Sequence, residues 1–146
     1  MVICMRYENY QLPETGDFLE RDLGVLDIMG GAFPDISGDD YGGLIDALAG
    51  TQIFVAYDDS GEIAGVTSYY LPNDKDYVYL SGTAVAPELR GQGEVGVAMM
   101  RQMKEIAAAS GRKAIEGVST PGAEQFYRRL GAYGVDNHLR MRIDVY

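Results

Sequence analysis

Val85-Ala86-Pro87-Glu88-Leu89-Arg90-Gly91-Gln92-Gly93-Glu94-Val95-Gly96 is the stretch that decides how this chain is read. A β-rich run from Tyr77 to Val85 enters it, and Val95, Met99, Met103, Ile106 and Ala107 follow at helical spacing as far as Gly111. A strand that passes through a glycine-rich turn into a helix aims several unpaired backbone N–H groups and the positive end of the helix dipole at one point. Such a turn suits an anion, because glycine accepts positive φ and lets a phosphate approach the backbone without a Cβ in the way. An ordinary strand-to-helix turn has the same composition. The Walker Lys-Ser/Thr pair and the βαβ repeat around a dinucleotide turn are both missing, so neither nucleotide fingerprint applies.

Working outward, Val2 to Tyr7 is expected as a short strand and Pro13 to Met29 as a helix ended by Gly30-Gly31. Phe33 to Gly38 reads as a loop, and Asp39-Asp40 starts a second short helix through Leu44, Ile45 and Leu48 that stops at Gly50. Gln52–Tyr57 and Glu62–Tyr70 form a hairpin across Asp58-Asp59-Ser60-Gly61, and Tyr77–Val85 adds a third strand. Beyond the central helix come a strand over Lys113–Val118, a helix over Ala123–Leu130 and a closing strand over Leu139–Val145. The order β-α-α-β-β-β-α-β-α-β-β places the chain in the α/β (α+β) class.

At 146 residues the chain is expected to be a single domain, 1–146, with a core of its own. Its 22 acidic against 12 basic residues give a net charge of −10, which repels nucleic-acid phosphates and anionic membranes. Such a field attracts cations, an amine among them, although solubility alone also accounts for it. Cys4 is the only cysteine, which excludes an internal disulfide and a cysteine-rich zinc site and suits a reducing cytoplasm. Neither a membrane span nor a signal peptide is legible.

At Val85-Ala86-Pro87 followed by Arg90-Gly91-Gln92-Gly93 the sequence resembles the GNAT superfamily of acyl-CoA-dependent N-acyltransferases, whose signature is Arg/Gln-x-x-Gly-x-Gly/Ala after a Val-x-Pro. A second similarity lies downstream. Thr120-Pro121-Gly122-Ala123-Glu124-Gln125-Phe126-Tyr127-Arg128-Arg129-Leu130-Gly131-Ala132 is similar to the family's Asn-x-x-Ala-x-x-x-Tyr-x-x-x-Gly-Phe. Three departures stand out: Glu94-Val95 separates Gly93 from Gly96, Thr120 replaces Asn, and Ala132 replaces Phe.

The resemblance implies a twisted, mixed sheet of six or seven strands flanked by about four helices, splayed between the Tyr77–Val85 and Lys113–Val118 strands. It implies transfer of an acetyl group from acetyl-CoA to a primary amine by direct attack, with no metal. Val85 and Ala86 would offer main-chain groups to the pantetheine arm as an added strand does, and an N–H near Val85 would stabilise the oxyanion. Arg90, Gly91, Gln92, Gly93, Val95 and Gly96 would form the pyrophosphate turn, with Thr120 further along the cosubstrate; Arg90 also reads as a surface partner of Glu88. Tyr127 would protonate the departing thiolate, its alternative being a core aromatic beside Phe126.

Family members often carry a carboxylate base on the Tyr77–Val85 strand, and this run has none. Tyr79, Ser81 and Thr83 alternate onto one face and could hold a water as a relay; Asp76 and His138 are weaker candidates. Phe33, Asp35, Asp39, Asp40 and Tyr41, with Tyr133 to His138, combine carboxylates and aromatics suited to a cationic amine, as a solvated acidic loop also would. The acceptor is then an amine-bearing small molecule or peptide, and the resemblance admits a homodimer. The rival readings are a non-catalytic acyl-CoA-binding or regulatory module of the same fold, and a partner-binding protein whose turn is filled by Glu94 or Val95.

Overall fold

Ile53-Phe54-Val55-Ala56-Tyr57 is apolar at every position and buried at every position, so the strand that carries it, β2 (Gln52–Tyr57), is covered on both faces. The computed structural model describes residues 5–12, 20–33, 42–90, 93–118, 123–135 and 140–146. Around β2 are arranged β1 (Arg6–Tyr10), α1 (Glu20–Ala32), α2 (Gly42–Leu48), β3 (Ile63–Tyr70) and β4 (Tyr77–Val85). After a 3-10 turn at Pro87–Leu89 come α3 (Glu94–Ala109), β5 (Ala114–Val118), α4 (Glu124–Arg129), β6 (Tyr133–Gly134) and β7 (Arg140–Asp144). The strands form one mixed, seven-stranded sheet in the order β1-β2-β3-β4-β5-β7-β6, and four α-helices are found among the described residues. β1 and β2 are antiparallel, β4 and β5 parallel, and β7 runs antiparallel to both β5 and β6. The parallel step from β4 to β5 is made through α3, as a parallel pair requires.

By internal contacts the chain divides into two units, Met1–Ser68 with Gly82–Met99, and Tyr69–Ser81 with Met100–Tyr146. In the first, Val25, Leu26 and Met29 form the inner stripe of α1, and Leu44 and Leu48 that of α2; they pack with Ile53, Val55, Val66 and Ala84. Asp22 lies on the same stripe of α1, and its buried carboxylate accepts the Tyr10 hydroxyl. Gly65 is forced by packing, because a Cβ there would meet Met99 Sδ at 2.5 Å and the Ala84 carbonyl at 3.0 Å.

In the second unit a buried carboxylate ties the strands together. Glu116 of β5 receives Arg140 Nε at 2.8 Å on one oxygen and Arg142 Nη1 at 2.8 Å on the other, both from β7. Arg140 also donates to the Tyr77 hydroxyl (2.8 Å), and Arg142 reaches both oxygens of Asp76 at 3.1 and 2.9 Å. Gly117 sits against β4, where a Cβ would lie 2.9 Å from the Leu80 carbonyl.

Two boundaries differ from the sequence reading. Of the strand expected over Val2–Tyr7, Val2 to Cys4 lie outside the described residues; the described strand is Arg6–Tyr10 and continues past Tyr7 because its register is set by β2, with Arg6 facing Tyr57 and Tyr10 facing Ile53. Gly30-Gly31 does not end α1; the helix runs to Ala32 and the Phe33 N–H still donates to Met29. The buried Met29 anchors that turn, which offsets the roughly 1 kcal/mol that a helical glycine costs. The hairpin at Asp58–Gly61 is as expected, with Gly61 at φ 83°. Asp58 Oδ1 accepts from the Ser60 and Glu62 N–H groups, which fastens the turn.

Gly117→Ala is expected to destabilise the protein by about 1–3 kcal/mol, because a backbone carbonyl within a paired strand cannot move aside; urea unfolding measures it. The Arg142 guanidinium holds the Asp76 carboxyl below the ordinary aspartate value of 3.8. A lowered folded value stabilises the fold above the unfolded value and is lost as pH falls through the folded one. The stability advantage of the natural chain over Asp76→Asn, read from urea midpoints, is therefore present at pH 7 and shrinks below about pH 4.

Candidate active site

The end of β4 has its main-chain groups sorted by strand alternation. The Ala86 N–H donates to the Ala64 carbonyl at 2.8 Å, toward β3. The N–H and C=O of Val85 therefore point to the opposite edge. On that edge the registered pairs with β5 run from Tyr77–Ala114 to Leu80–Gly117, and β4 continues through Ser81–Val85. The Val85 main chain thus faces away from β3. Ala86, expected to serve beside it, is not free to: its N–H is bound to Ala64 and its carbonyl accepts the Leu89 N–H at 2.9 Å. The paired position in the ladder explains the correction.

Arg90 leaves the 3-10 turn extended and sends Nε back to the Val85 carbonyl at 2.9 Å. Its guanidinium lies over Gly31 of α1, where a Cβ would be 3.3 Å from it. Arg90 thereby clips the edge of β4 that faces away from β3. Gly93 then takes φ 77°, and its carbonyl accepts the first helical bond of α3, from Val97 at 3.0 Å. The N–H groups of Glu94, Val95 and Gly96 have no acceptor within the helix.

Val95 is buried in the core and Glu94 is exposed, so neither side chain fills the turn. The inserted pair is accommodated by rotating the apolar residue inward and the charged one outward. Open space surrounds the Cβ direction of Gly93, so its requirement is one of backbone conformation alone. On β4 the Thr83 hydroxyl is buried without a hydrogen-bond partner among the described residues. Three amides without an acceptor inside the helix, the main chain of Val85 turned away from β3, and a hydroxyl unsatisfied among the described residues fit a ligand that carries both phosphates and amide groups.

Gly91, Gln92, Thr120, Asp35, Asp39, Asp40, Tyr41 and His138 lie outside the described residues. Phe33 packs its ring edge and Met29 its methyl over Gly82 of β4, each 3.4 Å from a Cβ placed there. It belongs to the rim of the core, which is why its exposure is only partial. Tyr127, on α4, is half-buried, and its ring meets Phe126 edge-on at 5.4 Å. The helix ends two residues on, at Arg129, where the Tyr127 carbonyl accepts from both Leu130 and Ala132.

The three relay candidates on β4 have different surroundings. Tyr79 stacks on Tyr70 with ring centroids 4.7 Å apart, Ser81 is exposed, and the Thr83 hydroxyl is buried. Opposite Tyr79 in the register stands Glu116, a carboxylate that the search along β4 alone does not find. Its alternation with Ala114 toward the Tyr77 and Tyr79 face is the signal that marks it, once β5 is paired with β4. Each of its oxygens is engaged by a guanidinium, Arg140 on one and Arg142 on the other, so it anchors the face. Desolvation first, then the phenols of Tyr79 and Tyr77, push the Tyr70 hydroxyl above its ordinary range, with Arg140 acting in the other direction.

Among the described residues no helix is long and apolar enough to cross a membrane. A search of curated proteins finds no match. Among solved structures the chain is similar to Tetrahymena GCN5, with TM-score 0.72 and 12% identity over 97% of this chain and 96% of that one. It is also similar to a GNAT family acetyltransferase from Brucella melitensis in complex with acetyl-CoA, with TM-score 0.64 and 18% identity over 97% and 88%. A third likeness is to nourseothricin acetyltransferase, with TM-score 0.57 and 26% identity over 67% of each chain. The first two share the fold at low identity. The sequence pattern of the Acetyltransferase (GNAT) family matches residues 23–132, a span that includes the whole strand-turn-helix segment and both parallel strands, and the chain belongs to that family.

Proposed function

We propose that this chain is an acyl-CoA-dependent N-acyltransferase that moves an acetyl group from acetyl-CoA to a primary amine. The observation that carries this reading is the open first turn of α3, with Gly93 as its cap, Val95 turned into the core and Glu94 turned to solvent. The amides of Glu94, Val95 and Gly96 would hold the pyrophosphate, aided by the helix dipole. The outward groups of Val85 would hold the pantetheine arm in strand fashion, with Arg90 releasing or sharing the Val85 carbonyl.

When bound, acetyl-CoA supplies a thioester whose carbonyl carbon accepts the amine and whose sulfur leaves as a thiolate. In this reading Tyr127 gives its phenolic proton to that sulfur as the thiolate leaves, acting as general acid. An N–H on the outward edge of β4 supports the oxyanion. The net charge of −10 favours approach of an ammonium, which reaches the site as the amine after losing its proton to solvent or a relay that includes Tyr79 or Ser81. A cytoplasmic setting and action as a single domain belong to the same reading.

The second reading is a module that binds acyl-CoA without turnover. It draws support from the engagement of Glu116, the carboxylate in register with Tyr79, by two guanidiniums.

Acetyl-CoA at 100 times its dissociation constant is expected to stabilise the protein by about 2.7 kcal/mol, seen as a rise of several degrees in the unfolding midpoint. An unmoved midpoint at millimolar acetyl-CoA removes both readings. Tyr127→Phe is expected to lower kcat by about 10²–10⁴-fold while keeping that thermal shift. Unchanged turnover takes Tyr127 out of the mechanism, and binding without thiol release across a panel of amines favours the non-catalytic module.

A further inference from the structure

We infer that Phe33, at the end of α1, limits the acyl group of the cosubstrate to acetyl by closing off a space one methyl deep over Gly82 of β4. This rests on the N-acyltransferase reading. Phe33 and Met29, with β4 from Gly82 onward and the turn into α3, all lie in one unit of the chain. Gly82 has no side chain on the face of β4 that α1 covers. A Cβ placed there would stand in ordinary van der Waals contact with the Met29 methyl at 3.4 Å and with the Phe33 ring at 3.4 and 3.5 Å. The strand therefore leaves room for about one carbon atom over Gly82 before the ring is met.

The end of α1 flanks the edge of β4 that faces away from β3. Arg90 donates Nε to the Val85 carbonyl on that edge and sets Nη2 3.3 Å from a Cβ built at Gly31. Phe33 follows two residues on, its N–H still donating to Met29. A cosubstrate whose phosphates rest on the first amides of α3 runs its arm back along this edge. From phosphate to sulfur the pantetheine arm has about twelve bonds, the length of about four residues of extended chain at three bonds each. Counted back from Ala86, where β4 gives way to the 3-10 turn, that length ends at Gly82. The Thr83 N–H, outward by the same alternation as that of Val85, is placed for the thioester oxygen, and the acetyl methyl takes the space over Gly82. One more acyl carbon would have to displace the Phe33 ring, which is packed against the core.

The test is calorimetric titration of CoA, acetyl-CoA, propionyl-CoA and butyryl-CoA into the purified protein and into Phe33→Ala and Gly82→Ala. The natural chain is expected to bind acetyl-CoA about 10- to 200-fold more tightly than propionyl-CoA, the usual penalty for one methylene too many, with butyryl-CoA weaker still. Phe33→Ala is expected to remove that penalty. Gly82→Ala, whose own methyl fills the space, is expected to transfer it to acetyl-CoA; neither substitution changes the affinity for CoA. Gly82 does not take positive φ, so alanine suits its backbone. Equal affinities for acetyl-CoA and propionyl-CoA in the natural chain, a penalty that persists in Phe33→Ala, or an unaltered acetyl-CoA affinity in Gly82→Ala each overturns the inference. Free CoA separates the two failures: if it binds and the acyl series shows no size preference, only the Phe33 limit falls, and if neither CoA nor acetyl-CoA binds, the N-acyltransferase reading falls with it. Retained CoA binding establishes that each variant is folded, and Gly82→Ala decides alone if Phe33→Ala does not fold.

Discussion

Strand β4 is held by two glycines on its neighbouring strands at which a side chain would collide. A Cβ at Gly65 would strike Met99 and approach the Ala84 carbonyl, and one at Gly117 would strike the Leu80 carbonyl. Close packing transmits such contacts as fixed backbone positions, because interiors hold few voids into which a strand can shift. With β4 fixed, the alternation of its main-chain groups follows: Ala86 is bound to Ala64, and Val85 faces outward. The direction of the glycine turn and the origin of α3 follow in turn, and with them the three open amides.

The second unit solves a different problem. Burying Glu116 removes a carboxylate from water, which is costly unless its oxygens are met by well-placed donors. Two arginines from β7 meet both oxygens, and each extends the network outward, Arg140 to Tyr77 and Arg142 to Asp76. A pair of this kind contributes little net stability compared with apolar packing, but it is strongly directional. It fixes which face of β4, β5 and β7 carries the phenols, and so gives the tyrosine surface its geometry.

Much of this arrangement was legible in the chain. Period-2 runs bounded by Asp58-Asp59-Ser60-Gly61 and Leu71-Pro72-Asn73-Asp74 mark β2, β3 and β4, because turn residues and alternation are local properties. The spacing of Val95, Met99 and Met103 marks α3 for the same reason. The ends of the elements were less legible. The first strand is positioned by its partner, and α1 passes through two glycines because a buried methionine and an arginine clip hold that turn. Glu116 escaped a search along β4 because a carboxylate beside that strand can be supplied by its neighbour, and only the parallel register puts it there.

The sequence by itself determined the α/β class, the order of the elements, the family and the glycine turn, since each of these is written in residue spacing and in residues that share one short segment. Tertiary structure decided the fate of the individual groups in that frame. It turned Val95 inward and Glu94 outward, engaged both main-chain groups of Ala86, gave the Val85 carbonyl to Arg90, and paired Tyr70 with Tyr79 and Glu116 with two arginines. These outcomes depend on strand register and on residues far apart in the chain, and a one-residue change of register would send every one of the strand side chains to the other face.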